Sequence, residues 1–232
     1  MANFREVFKN EHVILPVIHV RTTEQTIINA KIARDGGADG VFLISMEGMD
    51  YLGLRNLHSR VKDELPDFWM GVNFLDLIAF DAFDVVNEKI DGLWADNAEI
   101  LERSSDQLLA ESTNEVRINS KWEGLYFGGV AHKYQRPVLQ RDLPKAAAIA
   151  KNYMDVVTTT GAGTGIAADI EKIKIMKKAL GDFPLGIASG ISPENIESFM
   201  PYADTFLVAT SLMQSIEYFN PKRVEDLVKA VR

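Results

Sequence analysis

Short apolar runs alternate with segments of helical periodicity along the chain. The first run covers residues 13–20, and the others cover 40–46, 68–74, 91–96, 124–132, 155–161, 184–190 and 205–211. These runs are rich in β-branched residues and are continuous rather than alternating, which is typical of strands buried on both faces of a parallel sheet. The pattern therefore predicts eight buried parallel strands.

Segments with helical spacing separate these strands. Thr22 or Thr23 can cap the first helix, which has Glu24 in its first turn and ends at the stretch DGGAD. The other predicted helices cover residues 51–65, 76–89, 98–112, 142–152, 169–180, 193–200 and 221–231. The polar stretch 113–123 is predicted to be irregular, and the lysine-rich stretch 171–178 is predicted to be a solvated helix face.

The alternation of strands and helices bounds the fold class. Eight strand–helix units in 232 residues predict an α/β protein with the architecture of a (β/α)8 TIM barrel. An open doubly wound sheet would alternate in the same way, but the count of eight and the even spacing favour the barrel. No low-complexity linker interrupts the chain, so we expect a single barrel domain over residues 1–232.

Composition and charge restrict the partners. The net charge of -8 argues against nucleic acid and against an anionic membrane surface, although a local nest of backbone N–H groups can still bind an anion. The chain has no cysteine, which excludes disulfides and thiolate chemistry. The N-terminal stretch lacks a signal-peptide pattern and no long apolar run occurs, so the sequence predicts a cytoplasmic protein without membrane insertion.

Polar and small residues follow each predicted strand. In a TIM barrel the carboxyl ends of all strands meet at one opening, where the active sites of such enzymes lie. These ends supply acids, bases and a cation together, which indicates a small-molecule site; ordinary solvated strand ends are the alternative. The residues concerned are His19, Glu47, Asn73, Asp96, Asn97, His132, Lys133, Thr159, Thr160, Ser189, Gly190, Thr210 and Ser211.

The loops after strands seven and eight resemble a phosphate site. In barrels these two loops and an adjoining helix N-terminus often bind phosphate. Ser189 and Gly190 end strand seven, and Ser192 and Pro193 can start a helix. We expect the phosphate near the N–H groups of Gly190, Ile191, Thr210 and Ser211. A tight turn followed by a helix cap would explain the same residues without a ligand.

A second glycine-rich loop, GAGTG, follows strand six. Its residues Gly163, Thr164 and Gly165 do not match the spacing of a dinucleotide-binding loop, and we expect no cofactor. The loop can be a lid or a second loop that faces the phosphate. A long turn that requires positive φ angles is the alternative.

Titratable residues at the strand ends are candidates for catalysis. Asp96 can be a general acid or base, or can cap the following helix. Glu47 and His19 can transfer protons, as can His132, although a lone histidine is often only structural. Lys133 fits an electrostatic role better than that of an amine nucleophile. No metal-site spacing occurs, so no metal is predicted, although one or two carboxylates could suffice for Mg²⁺.

Three blocks of the chain resemble the C-terminal half of the BtpA/SgcQ family: VAHKYQRPV, DVVTTTGAGTGIAADIEKI, and the stretch from FPLGIASG to LVATSL. The family pattern falls on Lys133, Thr164, Gly165, Asp169, Ser189, Gly190, Pro193, Glu194, Asn195, Ala203, Asp204 and Ser211. The GISPEN turn is also similar to the matching turn in phosphoribosylanthranilate isomerase and in the tryptophan synthase α chain. The resemblance implies a ribulose-phosphate-binding type of barrel.

The first half of the chain departs from that family. It keeps His19 but lacks the Pro-Gly turn that follows strand one, which indicates a shortened or divergent member. Family roles in sugar or nucleoside metabolism imply an isomerase, lyase or transferase that acts on a phosphorylated small molecule. The family's link to photosystem I biogenesis implies the alternative, a non-catalytic assembly factor with a vestigial anion site. Whether the protein forms a homo-oligomer is left open by the sequence.

Overall fold

A closed barrel of eight parallel strands forms the centre of the protein. The computed structural model describes residues 3–46 and 48–232. The strands are β1 (Val13–His19), β2 (Val41–Ile44), β3 (Met70–Asn73), β4 (Gly92–Ala95), β5 (Leu125–Gly129), β6 (Val156–Thr159), β7 (Leu185–Ile187) and β8 (Thr205–Val208). They pair in sequence order, and β8 pairs with β1 to close the ring. The predicted TIM barrel is confirmed.

Helices surround the sheet. They are α1 (Phe4–Val7), α2 (Thr23–Asp35), α3 (Tyr51–Glu64), α4 (Ala79–Val85), α5 (Leu108–Ser120), α6 (Leu143–Ala150), α7 (Ile170–Leu180) and α8 (Pro221–Lys229). The predicted cap of α2 is confirmed, because Thr22 Oγ1 accepts a hydrogen bond from the Gln25 N–H at 3.1 Å. In the described ranges, none of these helices has the length and apolar character needed to cross a membrane.

The helix predicted over 98–112 is wrong, because the helix in this region begins about ten residues later, at Leu108. Residues 97–107 form a loop, and the stretch predicted to be irregular is mostly helix α5. Apolar residues of the loop gave the misleading pattern, because Ala98 and Ile100 are buried in the core without being helical. Gln107 holds the loop with two hydrogen bonds to the backbone of Leu101, at 2.8 and 2.9 Å.

The predicted helix at 193–200 is also wrong. The chain forms only two 3-10 turns here, Ile196–Ser198 and Met200–Tyr202. The Asn195 side chain accepts from the Ser192 N–H and donates to the Gly190 carbonyl, at 2.9 and 2.8 Å. These bonds satisfy the backbone locally, as asparagine does in turns.

The barrel interior is filled with aromatic rings. Phe42 packs edge to face against Trp69, Trp94 and Phe127, with ring centroids 5.0 to 5.8 Å apart. Phe4 of helix α1 and the adjacent Phe8 join this cluster and cover the N-terminal end of the barrel. The C-terminal end of the barrel lies on the other side of this cluster.

Candidate functional site

An open cavity of about 410 Å³, here called the mouth cavity, lies at the C-terminal end of the barrel. Its apolar lining comes from the inner face of the strands, with Val17, Ile44, Trp94, Ala188 and Leu207. Its lining also includes the predicted residues His19, Lys133, Thr164, Gly165, Ser189, Gly190, Ile191, Thr210 and Ser211. The structure thus brings together residues from five strand ends around one space.

Ser189 and Gly190 hold the glycine-rich loop in place. Ser189 Oγ lies 2.8 Å from both the Gly163 and Ile166 carbonyl oxygens, and Gly163 itself does not line the cavity. Gly190 has a φ of +65°, and a Cβ there would stand 2.1 Å from the Ala167 nitrogen. Glycine is thus required at 190 by contact between two loops of the protein, whereas the sequence suggested the approach of an anion.

Four backbone N–H groups border the mouth cavity without a partner. In the described part of the chain, no acceptor is in hydrogen-bonding reach of the N–H groups of Gly190, Ile191, Thr210 and Ser211. The last two open a 3-10 turn, Thr210–Leu212, whose first N–H groups have no acceptor within the turn. These four donors thus belong to residues that line one space large enough for a small ligand.

Side chains below these N–H groups lock the two loops together. Ser211 Oγ donates to the Ile191 carbonyl at 2.6 Å. Arg223 at the start of α8 donates to the Ser211 carbonyl and makes two hydrogen bonds to Glu194, at 2.9 and 3.1 Å. The Arg223 guanidinium also lowers the pKa of Glu194 to about 2. The positions of the free N–H groups are therefore fixed before any ligand arrives.

Lys133 and His19 supply the titratable side chains of the mouth cavity. Lys133 Nζ donates to Thr164 Oγ1 at 3.3 Å, and no carboxylate of the described residues lies within 4 Å of it. Burial lowers the pKa of His19, and the positive charges of Lys133 and Arg21 lower it further. At neutral pH His19 is therefore an uncharged imidazole beside an ammonium group.

Asp96 lies outside the mouth cavity, on the side of β3 and β5. Its Oδ1 accepts a hydrogen bond from Asn73 Nδ2 at 3.0 Å, and its Oδ2 lies 3.9 Å from His132 Nδ1. The helix-cap alternative is wrong, because the next helix starts at Leu108. Glu47, the other predicted acid, lies outside the described residues.

Two further residues at this end were missed by sequence reasoning. Trp94 packs against Phe42 in the barrel interior and also lines the mouth cavity. Lys172 was placed on a solvated helix face, yet its Nζ donates to the Ala131 and Thr160 carbonyl oxygens at 2.5 and 2.9 Å. No local pattern distinguishes Lys172 from its lysine neighbours, because its burial depends on the loops after β5 and β6.

Solved structures share this fold across almost the whole chain. A geranylgeranylglyceryl phosphate synthase from Thermoplasma acidophilum, solved with sn-glycerol-1-phosphate, matches with a TM-score of 0.70 and 14% identity, covering 100% of this chain and 99% of that one. Phosphoribosyl anthranilate isomerase from Thermus thermophilus matches with a TM-score of 0.63 and 12% identity, covering 94% and 97%. At such identities the likeness concerns the fold alone.

Sequence comparison identifies closer relatives. A protein of Pyrococcus abyssi is 33% identical over 84 residues, and one of Pyrococcus horikoshii is 31% identical over 84 residues; both are described as uncharacterized. The matches cover 34% and 36% of this chain, and span about a third, 32%, of each relative. The sequence profile of the BtpA family matches residues 71–232, which is more than half of the chain. This protein therefore belongs to the BtpA family.

Proposed function

We propose that this protein is an enzyme that acts on a small phosphorylated metabolite of the sugar or nucleoside type. The N–H groups of Gly190, Ile191, Thr210 and Ser211 bind the phosphate of this metabolite. The observation that carries the proposal is a set of four backbone donors without an acceptor among the described residues, which border one cavity together with a lysine that has no described carboxylate within 4 Å.

Physical chemistry favours an anion at this place. Converging backbone N–H groups form a nest that binds phosphate oxygens without a large net charge, which suits a protein with a net charge of -8. The 3-10 turn Thr210–Leu212 has only three residues, so individual N–H groups rather than a helix dipole supply the attraction. Lys133 adds a full positive charge at the edge of the cavity.

The comparisons support a phosphorylated ligand. The synthase from Thermoplasma acidophilum was solved with sn-glycerol-1-phosphate, and the isomerase from Thermus thermophilus is named for a phosphoribosyl compound. Both have the same barrel, in which the loops after the last two strands often bind phosphate.

The remaining residues suit proton transfer beside the phosphate. His19 is uncharged at neutral pH and can accept a proton from the ligand. Lys133 can then stabilise negative charge that develops on the ligand. Asp96 can assist only from the β3–β5 side of the opening, where it contacts Asn73. These roles fit an isomerase, a lyase or a transferase.

Thr210→Glu tests the phosphate site. Thr210 is exposed, so a longer side chain fits there without disturbing the core, and a carboxylate would repel the ligand. We expect inorganic phosphate and ribose 5-phosphate to bind the natural protein, and Thr210→Glu to weaken both by about tenfold or more, which is the effect of one close like charge. Isothermal titration calorimetry measures the change.

Thr210→Gln is the matched control, since it has the same length without the charge, and it should bind both ligands nearly as well as the natural protein. Failure of the natural protein to bind either ligand would overturn the phosphate site. Phosphorus NMR on a set of phosphorylated sugars and nucleosides tests turnover. Binding without turnover of any of them would favour the assembly-factor alternative.

A further inference from the structure

A second cavity of about 520 Å³, here called the loop cavity, lies between the loops that follow β5 and β6. Its polar lining includes His132, Arg136, Asp169 and Lys172. Lys133 and Ala167 line both the loop cavity and the mouth cavity, so the two spaces are neighbours.

Lys172 is a positive charge in the wall of the loop cavity that forms no ion pair with a described carboxylate, although the charge of Asp169 in the same wall acts on it. Its Nζ is anchored by the Ala131 and Thr160 carbonyl oxygens, which leaves one of its three protons for another acceptor. No carboxylate of the described residues lies within 4 Å of this Nζ. Burial lowers the pKa of Lys172 to about 8, so the group is still largely charged at neutral pH.

Arg136, another cation in the wall of the loop cavity, is already neutralised. Its guanidinium pairs with both carboxylate oxygens of Glu102, whose side chain is only 2% exposed. Asp169 is exposed and accepts a hydrogen bond from the Glu171 N–H at 2.9 Å as the cap of α7. Lys172 and Lys133 are therefore the cations of this wall that have no carboxylate within 4 Å among the described residues.

His132 belongs to the wall of the loop cavity. Its side chain is fully buried, and its Nδ1 lies 3.9 Å from Asp96 Oδ2. Burial lowers the pKa of His132, so the ring adds no positive charge at neutral pH.

The backbone around the loop cavity is also unusual. Ala131 and Tyr134 have φ angles of 51° and 60°, in the left-handed region that residues with a side chain seldom adopt. Strain of this kind persists where the surrounding structure imposes it and concentrates at binding sites. Ala131 is also the residue whose carbonyl holds Lys172 Nζ.

We propose that the loop cavity binds a second anionic group of the same ligand whose phosphate occupies the mouth cavity. This inference rests on the proposed function and narrows its substrate class. The ligand is a small phosphorylated compound that has a further phosphate or carboxylate at its other end. Lys133 stands between the two groups, and Lys172 contacts the second one.

Paired ligands test the proposal. Ribulose 1,5-bisphosphate and ribulose 5-phosphate differ by one phosphate, and 6-phosphogluconate and sorbitol 6-phosphate differ by one carboxylate. In calorimetric titrations at pH 7 we expect, in at least one pair, the member with two anionic groups to bind about tenfold more tightly than its partner, as one charge-assisted hydrogen bond provides. The pair that shows the difference identifies the second group as phosphate or carboxylate.

Lys172→Met removes the charge and keeps the length of the side chain. It should weaken binding of the ligand with two anionic groups about tenfold and leave binding of its partner with one such group unchanged, whereas Lys172→Arg should keep most of the difference. If Lys172→Met fails to fold, Ala162→Glu replaces it, since Ala162 is an exposed residue of the loop cavity wall. Ala162→Gln is its uncharged match.

The outcomes separate this inference from the proposed function. Equal affinity within both ligand pairs would overturn the second site, while monophosphate binding that Thr210→Glu weakens would still support the first one. Equal weakening of both members of a pair by Lys172→Met would also overturn it, because a merely structural lysine would act in that way. Absence of binding by all four ligands would contradict both proposals.

Discussion

At the scale of single residues, burial decides which histidines carry a charge. His58 on α3 is fully buried, and its Nε2–H donates to the Met70 carbonyl at 3.2 Å. Burial lowers the pKa of His58 to about 4. Its sequence neighbourhood, NLHSRV, predicts only a helix, so the altered chemistry of this residue arises from the packing of α3 on the sheet.

This pKa predicts a loss of stability in acid. The unfolded chain binds a proton at His58 below about pH 6.5, whereas the folded protein binds one only near pH 4, so stability falls as the pH drops through that window. The contribution of His58 is about 3 kcal/mol of unfolding free energy between pH 7 and pH 4. Urea titrations at several pH values measure it.

The variant His58→Gln provides the comparison. Glutamine can still donate to the Met70 carbonyl but does not titrate, so its unfolding free energy should fall less steeply between pH 7 and pH 4. His132 contributes to the pH dependence of the unfolding free energy equally in both proteins. Identical slopes for the variant and the natural protein would show that His58 is not responsible.

At the scale of elements, the short helix α1 closes the barrel. Its four residues give it little stability of its own, and it is held by Phe4 and by the adjacent Phe8. Phe4 is 2% exposed and lies 6.4 Å from Phe127 between ring centroids. The element thus depends on tertiary contacts at the end opposite the mouth cavity.

Phe4→Ala should lower the unfolding free energy by about 3 to 5 kcal/mol, the usual cost of emptying a buried phenylalanine site. Phosphate affinity of the folded protein should not change, because the mouth cavity is at the other end. Val7→Ala is the control on the same helix, and should cost much less since Val7 is 38% exposed. Guanidinium titration measures both.

A loss of phosphate affinity in folded Phe4→Ala would contradict this separation of the two barrel ends. A loss of stability no larger than that of Val7→Ala would show instead that α1 does not contribute to the closed core.

At the scale of the whole molecule, glycines let large rings fill the barrel. A Cβ at Gly92 would stand 2.4 Å from Trp69 Cζ2, and one at Gly71 would stand 2.3 Å from Phe42 Cε1. Both glycines lie in strands, where glycine is otherwise unfavourable. Their occurrence in β3 and β4 is explained by the aromatic rings that share the interior.

Gly92→Ala should therefore destabilise the protein by about 1 to 3 kcal/mol through overpacking. Trp69→Phe removes the ring atoms that would collide with the new methyl group. In a double-mutant cycle, the cost of Gly92→Ala should be smaller in the Trp69→Phe background than in the natural protein. Additive costs in urea unfolding would show that the two residues do not compete for the same space.

The sequence was most informative where structure is local. The eight strands were predictable because each is a continuous apolar run, and Thr22 was a predictable cap because its bond spans only three residues. The misplaced helix at 98–112 shows the limit of the same reasoning. There the buried residues Ala98 and Ile100 belong to a loop, and apolar spacing cannot distinguish the two cases.

The candidate site could likewise be predicted only in part from the sequence. That polar residues gather at the strand ends could be predicted, because parallel strands in a barrel have their carboxyl ends at one opening. Which of them share a cavity could not: Lys133 and His19 do, whereas Asp96 faces His132 instead. Gly190 does line the mouth cavity, but glycine is required there by the close contact with Ala167 rather than by the approach of an anion.

By itself, then, the sequence determined a barrel of eight strands, the end at which its chemistry lies, and a relationship to the BtpA family. Only the tertiary structure decided which backbone N–H groups stay unpaired and that Lys172 is buried beside a second cavity. The reason is that strands and caps arise from neighbours in the chain, whereas free donors and buried charges depend on loops that meet only when the barrel closes.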